Sequence, residues 1–252
     1  MISIVGAGSG AADLITVRGA RLLGQADVIV YAGSLVNPQL LSYAKEGCEI
    51  HNSAKMTLEE VVDVMAKAHF LGQNVVRLHT GDPSIYGAIR EQMDALRQKN
   101  IPFEVVPGVS SFCGAAAALQ AEYTLPGVSQ TVIITRAAGR TPVPEKENIR
   151  SLAAHRATMA IFLSAGLLPQ LTEDLVEGGY PPETPAAIVY KATWPDEKVC
   201  ICRVSTLAET AQKEGINKTA LILVGDFLGQ QYDRSLLYHP NFTTGFREGK
   251  KQ

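Results

Sequence analysis

The sequence predicts an α/β protein of two domains, each a mostly parallel sheet flanked by helices, the second more mixed than the first. Three observations predict it. Apolar, β-branched runs alternate with helix-period segments along nearly the whole chain, the pattern of strand–helix units that build a covered parallel sheet. The 252 residues include 22 Gly and 13 Pro, which suits many tight strand-to-helix turns. The alternation breaks between Gln120 and Gln130, where Tyr123-Thr124-Leu125-Pro126-Gly127-Val128 reads as a connector. The expected domains are therefore residues 1–122 and 128–230, with a polar, peripheral tail over 231–252.

In the first domain, strands are expected over 2–5, 28–31, 75–79 and 103–106, and helices over 14–23, 58–70, 89–98 and 110–119. Thr57-Leu58-Glu59-Glu60 reads as a capping box, with Thr57 capping and Glu60 reaching back. In the second, strands are expected over 131–135, 159–163, 187–190, 199–204 and 221–224, with helices near 149–155 and over 168–177. Trp194-Pro195-Asp196-Glu197 lies between two of these strands as a hairpin connection. A cleft between the domains is the expected ligand site.

Composition narrows the function. A net charge of -2 gives no global basic field to attract nucleic acid, so any anionic ligand must be held by local Lys and Arg. Apolar stretches such as 128–134 or 220–224 are too short to span a bilayer, and the start has no basic leader, so a cytoplasmic protein is expected. Cys48, Cys113, Cys200 and Cys202 are too few and scattered for a disulfide scaffold. Cys200 and Cys202 share a strand face but lack neighbouring ligands, and the five His show no ligand spacing, so no metal site is expected.

Four turns stand out. Gly6-Ala7-Gly8-Ser9-Gly10-Ala11 follows the first strand and fits a loose dinucleotide-binding pattern. That reading wants an acid at the end of the second strand, where Ala32-Gly33-Ser34 stands instead; a tight turn or a turn lining another ligand remain open. Thr80-Gly81-Asp82-Pro83 ends the 75–79 strand, and Asp82 could bind a ligand or cap the next helix. Pro107-Gly108-Val109-Ser110-Ser111 repeats the arrangement before an Ala-rich helix. Finally, Thr135 to Pro144 is a stiff basic loop carrying Arg136 and Arg140, whose planar forks suit carboxylates, while the only Trp, Trp194, offers an aromatic wall or a packing anchor.

Together these motifs resemble the tetrapyrrole methyltransferase family: the first strand with its Gly-rich loop, Asp13-Leu14-Ile15-Thr16-Val17-Arg18-Gly19, Gly81-Asp82-Pro83 and Pro107-Gly108-Val109-Ser110-Ser111. The resemblance extends to about residue 230. Three stretches, beginning at Tyr31, Thr135 and Tyr190, resemble the branch that methylates C11 of precorrin-4 or cobalt-precorrin-4 in cobalamin synthesis. One departure stands out: Gly8-Ser9-Gly10-Ala11-Ala12 lacks the prolines and aspartate usual there, which predicts a looser turn.

The resemblance implies that S-adenosylmethionine binds between the domains and leaves as S-adenosylhomocysteine. It implies cofactor contacts at Ser9, Thr80, Gly81, Asp82, Ile85, Tyr86, Ser110 and Ser111, and at Phe162, Leu163, Ala192 and Ala220. For a flat polycarboxylate tetrapyrrole, Lys55, Arg136, Arg140 and Lys191 are expected to pair with carboxylates, and Tyr31 and Trp194 to contact the ring. Asp82, His79 and Tyr86 are candidate catalytic groups by their place in the sequence. A homodimer is implied as well. The competing readings are a nicotinamide-dependent oxidoreductase, a non-catalytic tetrapyrrole carrier, and methylation at another ring carbon.

Overall fold

The computed structural model describes residues 1–250. By their internal contacts they form two compact units, one of Met1–Ala117 with Lys191–Glu197, the other of Ala118–Tyr190 with the chain from Lys198 on.

The first unit holds five parallel strands: β1 (Ile2–Gly6), β2 (Val28–Tyr31), β3 (Glu49–Asn52), β4 (Val75–His79) and β5 (Phe103–Val106), in the order β3-β2-β4-β1-β5. Alternate residues feed two cores. Ile2, Val28, Val30 and Val75 pack toward α2 (Leu58–Phe70) and α3 (Ile89–Gln98). Val5, Ile29, Val76 and Leu78 pack toward α1 (Val17–Gln25). Both faces are covered, which is why these strands read as continuous apolar runs. α4 (Ser111–Leu119) closes the unit's first stretch of chain.

Local sequence explains the helix ends. The capping box at α2 is present: Glu60 N–H donates to Thr57 Oγ1 at 3.3 Å, and Thr57 N–H to Glu60 Oε2 at 2.7 Å. Val61, Val62 and Met65 then bury one stripe, and Gly72, at φ 77°, ends the helix by letting Gln73 N–H reach Ala68 O. Truncating the fully buried Met65 to Ala would cost about 2–5 kcal/mol by the usual cavity penalty. α1 starts later than the predicted residue 14, because Ala12–Leu14 forms a 3-10 turn and Thr16 is the cap that accepts from Gly19 N–H.

The second unit has strands β6 (Val132–Arg136), β7 (Thr158–Phe162), β8 (Pro185–Tyr190), β9 (Lys198–Arg203) and β10 (Ala220–Val224), in the order β6-β7-β10-β8-β9. β6 and β7 are parallel; β10 runs against β7 and β8, and β9 against β8, so the sheet is mixed as expected. α5 (Ile149–Ala153), α6 (Leu168–Glu177) and α7 (Leu207–Glu214) cover one face over Met159, Ile161, Ile188 and Ile222. Two elements were not anticipated from the sequence, the edge strand β3 and the helix α7. Among the described residues no helix is long and apolar enough to cross a membrane.

Candidate functional site

The strand order of the first unit creates a crevice. The chain leaves β1 toward α1, on one face of the sheet, and leaves the adjacent β4 toward α3, on the other face. Where neighbouring parallel strands send their connections to opposite sides, a gap opens at their carboxyl ends, and ligands of open α/β sheets bind there. The loops at this edge are Gly6 to Ala11, Thr80 to Gly87 and Pro107 to Ser111.

These loops interlock through main chain. Gly8 and Gly81 form an isolated antiparallel bridge: Gly81 N–H donates to Gly8 O at 3.0 Å and Gly8 N–H to Gly81 O at 3.3 Å. Both glycines have positive φ, 85° and 60°. A Cβ on Gly6 would lie 2.6 Å from Gly108 Cα and from Gly81 O, so the three loops meet where no side chain fits.

Asp82 ties two of the loops. One carboxylate oxygen accepts from Ser84 N–H at 2.8 Å and from the Ser84 hydroxyl; the other accepts from Gly108 N–H at 2.9 Å. Partial burial pushes its pKa up, but these hydrogen bonds outweigh burial and hold it below the ordinary value. Both oxygens are thus engaged within the protein. Ser110 stands at the start of α4, where its carbonyl accepts from Gly114 N–H, and its side chain is buried. Tyr86, at φ 54°, is exposed, while Thr80, Ile85 and Ser111 are half-buried at the rim.

His79 sits beneath this edge, 4% exposed. Burial, reinforced by the charge of Arg77, lowers its pKa to about 3 despite a hydrogen bond with Gln92 that works the other way. It is a neutral imidazole whose Nε2 has no partner among the described residues. Arg77 is itself buried, which lowers its pKa to about 10; its guanidinium donates to Gln92 Oε1 at 3.1 Å and Val30 O at 3.1 Å. His79, so buried and so weakly basic, does not offer a titrating nitrogen near neutral pH.

A second set of candidates reaches the same loops from far along the chain. Ala192 is buried, and Thr193 accepts from Ala11 N–H at 3.0 Å. Trp194 packs where Gly10 leaves space: a Cβ there would meet the indole and lie 2.7 Å from Ala192 O. Lys191 forms an ion pair with Asp196 at 2.6 Å and lies over the Trp194 ring at 5.4 Å. Tyr31 ends β2 with Ser53 Oγ donating to its carbonyl, and Lys55 is exposed in the turn after β3.

The remaining candidates occupy one end of the second unit's sheet. Arg136 and Phe162 are register partners at the ends of β6 and β7; Ala220 begins β10 opposite Tyr190. Leu163 follows at φ 54°, 67% exposed. Arg136 donates to the carbonyls of Ala137, Thr141 and Pro142 at 3.3, 3.1 and 2.7 Å, so it closes the basic loop upon itself, whereas Arg140 is exposed. Among the described residues no group of three or more His, Cys, Asp or Glu is placed to hold a metal. Sequence reasoning missed Thr193 and Asn37, which donates to Gly10 O at 2.9 Å; no local signal marks them, since their partners lie far away in the chain.

Residues 1–208 match the family described as Tetrapyrrole (Corrin/Porphyrin) Methylases. The chain is 55% identical, over all of its length and 97% of the relative's, to a cobalt-precorrin-4 C(11)-methyltransferase of Methanocaldococcus jannaschii. It superposes with TM-score 0.89 and 48% identity on the X-ray structure of a cobalt precorrin-4 methyltransferase of cobalamin biosynthesis, covering 91% of this chain and 96% of that one. A uroporphyrin-III C-methyltransferase from Thermus thermophilus, complexed with the demethylated cofactor S-adenosylhomocysteine, matches with TM-score 0.75 and 26% identity over 90% of this chain and 93% of that one.

Proposed function

We propose the reaction of this chain from one fact about it: it belongs to the tetrapyrrole (corrin/porphyrin) methylase family. It transfers the methyl group of S-adenosylmethionine to C11 of precorrin-4 or cobalt-precorrin-4 during assembly of the cobalamin ring. The observation that carries this reading is the 55% identity, along the entire chain, to a relative named for that reaction.

The crevice suits such a cofactor. Gly6 and Gly108 let the three loops at its floor close main chain to main chain, and Ile85 and Tyr86 add an apolar rim. Ser9, Thr80, Gly81, Asp82, Ile85, Tyr86, Ser110, Ser111 and Ala192 form the cofactor set of the first unit. Phe162, Leu163 and Ala220 form that of the second. S-adenosylmethionine supplies an electrophilic methyl on sulfonium, so that a C–C bond forms on the ring as the C–S bond breaks and its electron pair stays on sulfur.

The protein's own part is positioning. Orientation alone is worth effective molarities of about 10⁵ M or more, so no nucleophilic side chain is needed. Asp82 acts by locking the Gly81 and Gly108 turns together, which holds their main chain still. His79, neutral and buried, excludes water from below. Tyr86 stays the candidate for contact with the reacting partners, being the exposed member of the three. Arg140, Lys55 and Lys191 hold substrate carboxylates, with Arg136 fixing the loop that presents Arg140, and Tyr31 and Trp194 lie against the ring. The working domains are read as residues 1–122 and 128–230, with a peripheral tail over 231–252. The enzyme is read as a cytoplasmic homodimer with no nucleic-acid partner; light scattering after gel filtration gives its mass directly.

The decisive experiment is incubation with precorrin-4, with and without cobalt, and methyl-labelled S-adenosylmethionine. Label at C11 by carbon NMR, with a mass gain of one methyl, is the expected result. Label left on the cofactor would make the protein a carrier, and label at another carbon would move it within the family. Arg140→Ala should raise the KM for the tetrapyrrole about tenfold with little change in kcat, as loss of one charge-assisted pair predicts. An unchanged KM would remove Arg140 from the substrate site.

A further inference from the structure

The loop between β1 and the Ala12–Leu14 turn has little stiffness of its own. It contains Gly8 and Gly10 and no proline, and glycine loses more conformational freedom on folding than any other residue. Yet each residue from Gly8 to Ala11 is held from outside. Gly8 is paired with Gly81, Gly10 O accepts from Asn37 Nδ2, and both Ser9 and Ala11 meet one oxygen, Thr193 Oγ1. Ala11 N–H donates to it at 3.0 Å, and the Ser9 hydroxyl lies 3.1 Å from it. A hydroxyl has one proton and two lone pairs, so Thr193 can accept from Ala11 and still exchange a hydrogen bond with Ser9.

Two further features show that this contact is built. Thr193 has φ 68°, a left-handed backbone that a β-branched residue adopts only when its surroundings enforce it. They do: Thr193 N–H donates to Glu197 Oε2 at 2.6 Å, and Trp194 N–H to Lys191 O at 3.0 Å. On the opposite side, α4 places Gly114 against the pair. A Cβ there would lie 2.7 Å from Ser9 Cβ, 2.9 Å from Ser9 Oγ and 3.2 Å from Thr193 Cγ2, so the room for the two hydroxyls depends on the missing side chain.

We propose that Thr193 is a positioning residue: its hydroxyl clasps Ser9 and Ala11 and so fixes the shape of the Gly8–Ala12 loop at the ligand-binding edge. The clasp is a statement about this chain's geometry; its effect on ligand binding rests on the function proposed above.

Thr193→Val tests it, because valine keeps the branched Cβ in the same left-handed backbone and removes only the oxygen. Hydrogen exchange at the Ala11 amide should speed up about tenfold, equivalent to about 1.4 kcal/mol. The Kd for S-adenosylhomocysteine, measured by calorimetry, should rise about fivefold. Thr193→Ser, which retains the hydroxyl, should restore both. Ser9→Ala should accelerate Ala11 exchange about threefold, and combined with Thr193→Val should add nothing to it, since both remove one linkage. Should Thr193→Val fold poorly, Ser9→Ala compared with wild type carries the exchange test, and Thr193→Ala carries the Kd.

Unchanged Ala11 exchange in Thr193→Val, or failure of Thr193→Ser to restore it, overturns the clasp. Faster exchange with an unaltered Kd overturns its role in binding. Wild-type protein that took up no S-adenosylhomocysteine would sink the functional reading and the ligand half of this proposal with it, while the clasp would still be decided by exchange.

Discussion

The carboxyl edge of the first sheet and the corresponding end of the second solve the same problem, leaving a strand sharply, by opposite means. In the first, the first left-handed position after each of β1, β2 and β4 is a glycine: Gly8, Gly33 and Gly81. They allow main chain to meet main chain, as at the Gly8–Gly81 bridge and the Gly6–Gly108 contact. In the second, the residue after β7 and the residue before β10 are Leu163 and Thr219, at φ 54° and 55°. There a side chain is kept at a conformational cost of order 1–3 kcal/mol for each residue. Where the loops of the first edge meet, no side chain fits; at the second end, side chains are kept in spite of the backbone they need.

The largest effect should come from breaking the first edge. Gly108→Ala would place a Cβ 2.8 Å from Gly6 Cα, with backbone on both sides and nothing flexible to yield. Overpacking of that kind costs about 3 kcal/mol, to be read as a lowered midpoint in denaturant at constant m-value. An unchanged midpoint would mean that the loops can part without penalty.

His79 gives a slightly smaller effect and tests how dry the same edge is. Its folded pKa, about 3, lies below the ordinary histidine value of 6.5, so the unfolded chain binds the extra proton first as pH falls. Stability from this residue is therefore complete above about pH 6.5 and is lost steadily between there and about pH 3. Between pH 7 and pH 5 the loss should be about 2 kcal/mol, and His79→Gln should flatten that part of the stability curve. If wild type and variant showed parallel pH profiles, the imidazole would be reached by water.

Leu163→Gly sharpens the other side of the comparison. Relief of the left-handed strain should stabilise the fold by about 1 kcal/mol, while removing an exposed leucine from the proposed cofactor set should weaken S-adenosylhomocysteine binding. A gain in stability with no loss of affinity would make Leu163 a conformational accident. The smallest effect is expected for Asp82→Asn. The wild-type carboxyl has a lowered pKa, so its stabilising contribution is present above the unfolded value of 3.8 and fades as pH falls through the lower folded value. The variant should differ from wild type at neutral pH by about 1 kcal/mol and converge with it in acid.

What the sequence reveals of this fold follows from how far each signal reaches. β1, β2 and β4 are buried on both faces and announce themselves as apolar runs, and α2 carries its cap and its stripe within one local stretch. β3, Glu49-Ile50-His51-Asn52, is a largely exposed edge strand with no apolar face, so nothing local distinguishes it from a loop. α7 is short and buries only Leu207 and Ala211, a pattern too sparse to separate from its surroundings, although Gly215 at φ 68° marks its end. At the site, the turns were legible because Gly and Pro act on their own backbone. Their partners were not: Asp82 meets Gly108, and Arg136 turns back on its own loop, through contacts that residue spacing does not encode.

The segment Lys191–Glu197 is completed long after the strands whose loops it secures. Synthesis proceeds from the amino terminus, so a nascent chain already carrying β1 to β5 still lacks the threonine that grips the first loop. A fragment ended at Ala117 would contain the whole parallel sheet and none of that grip. The order of manufacture therefore leaves the rim of the first unit's crevice as the last part of its own unit to mature.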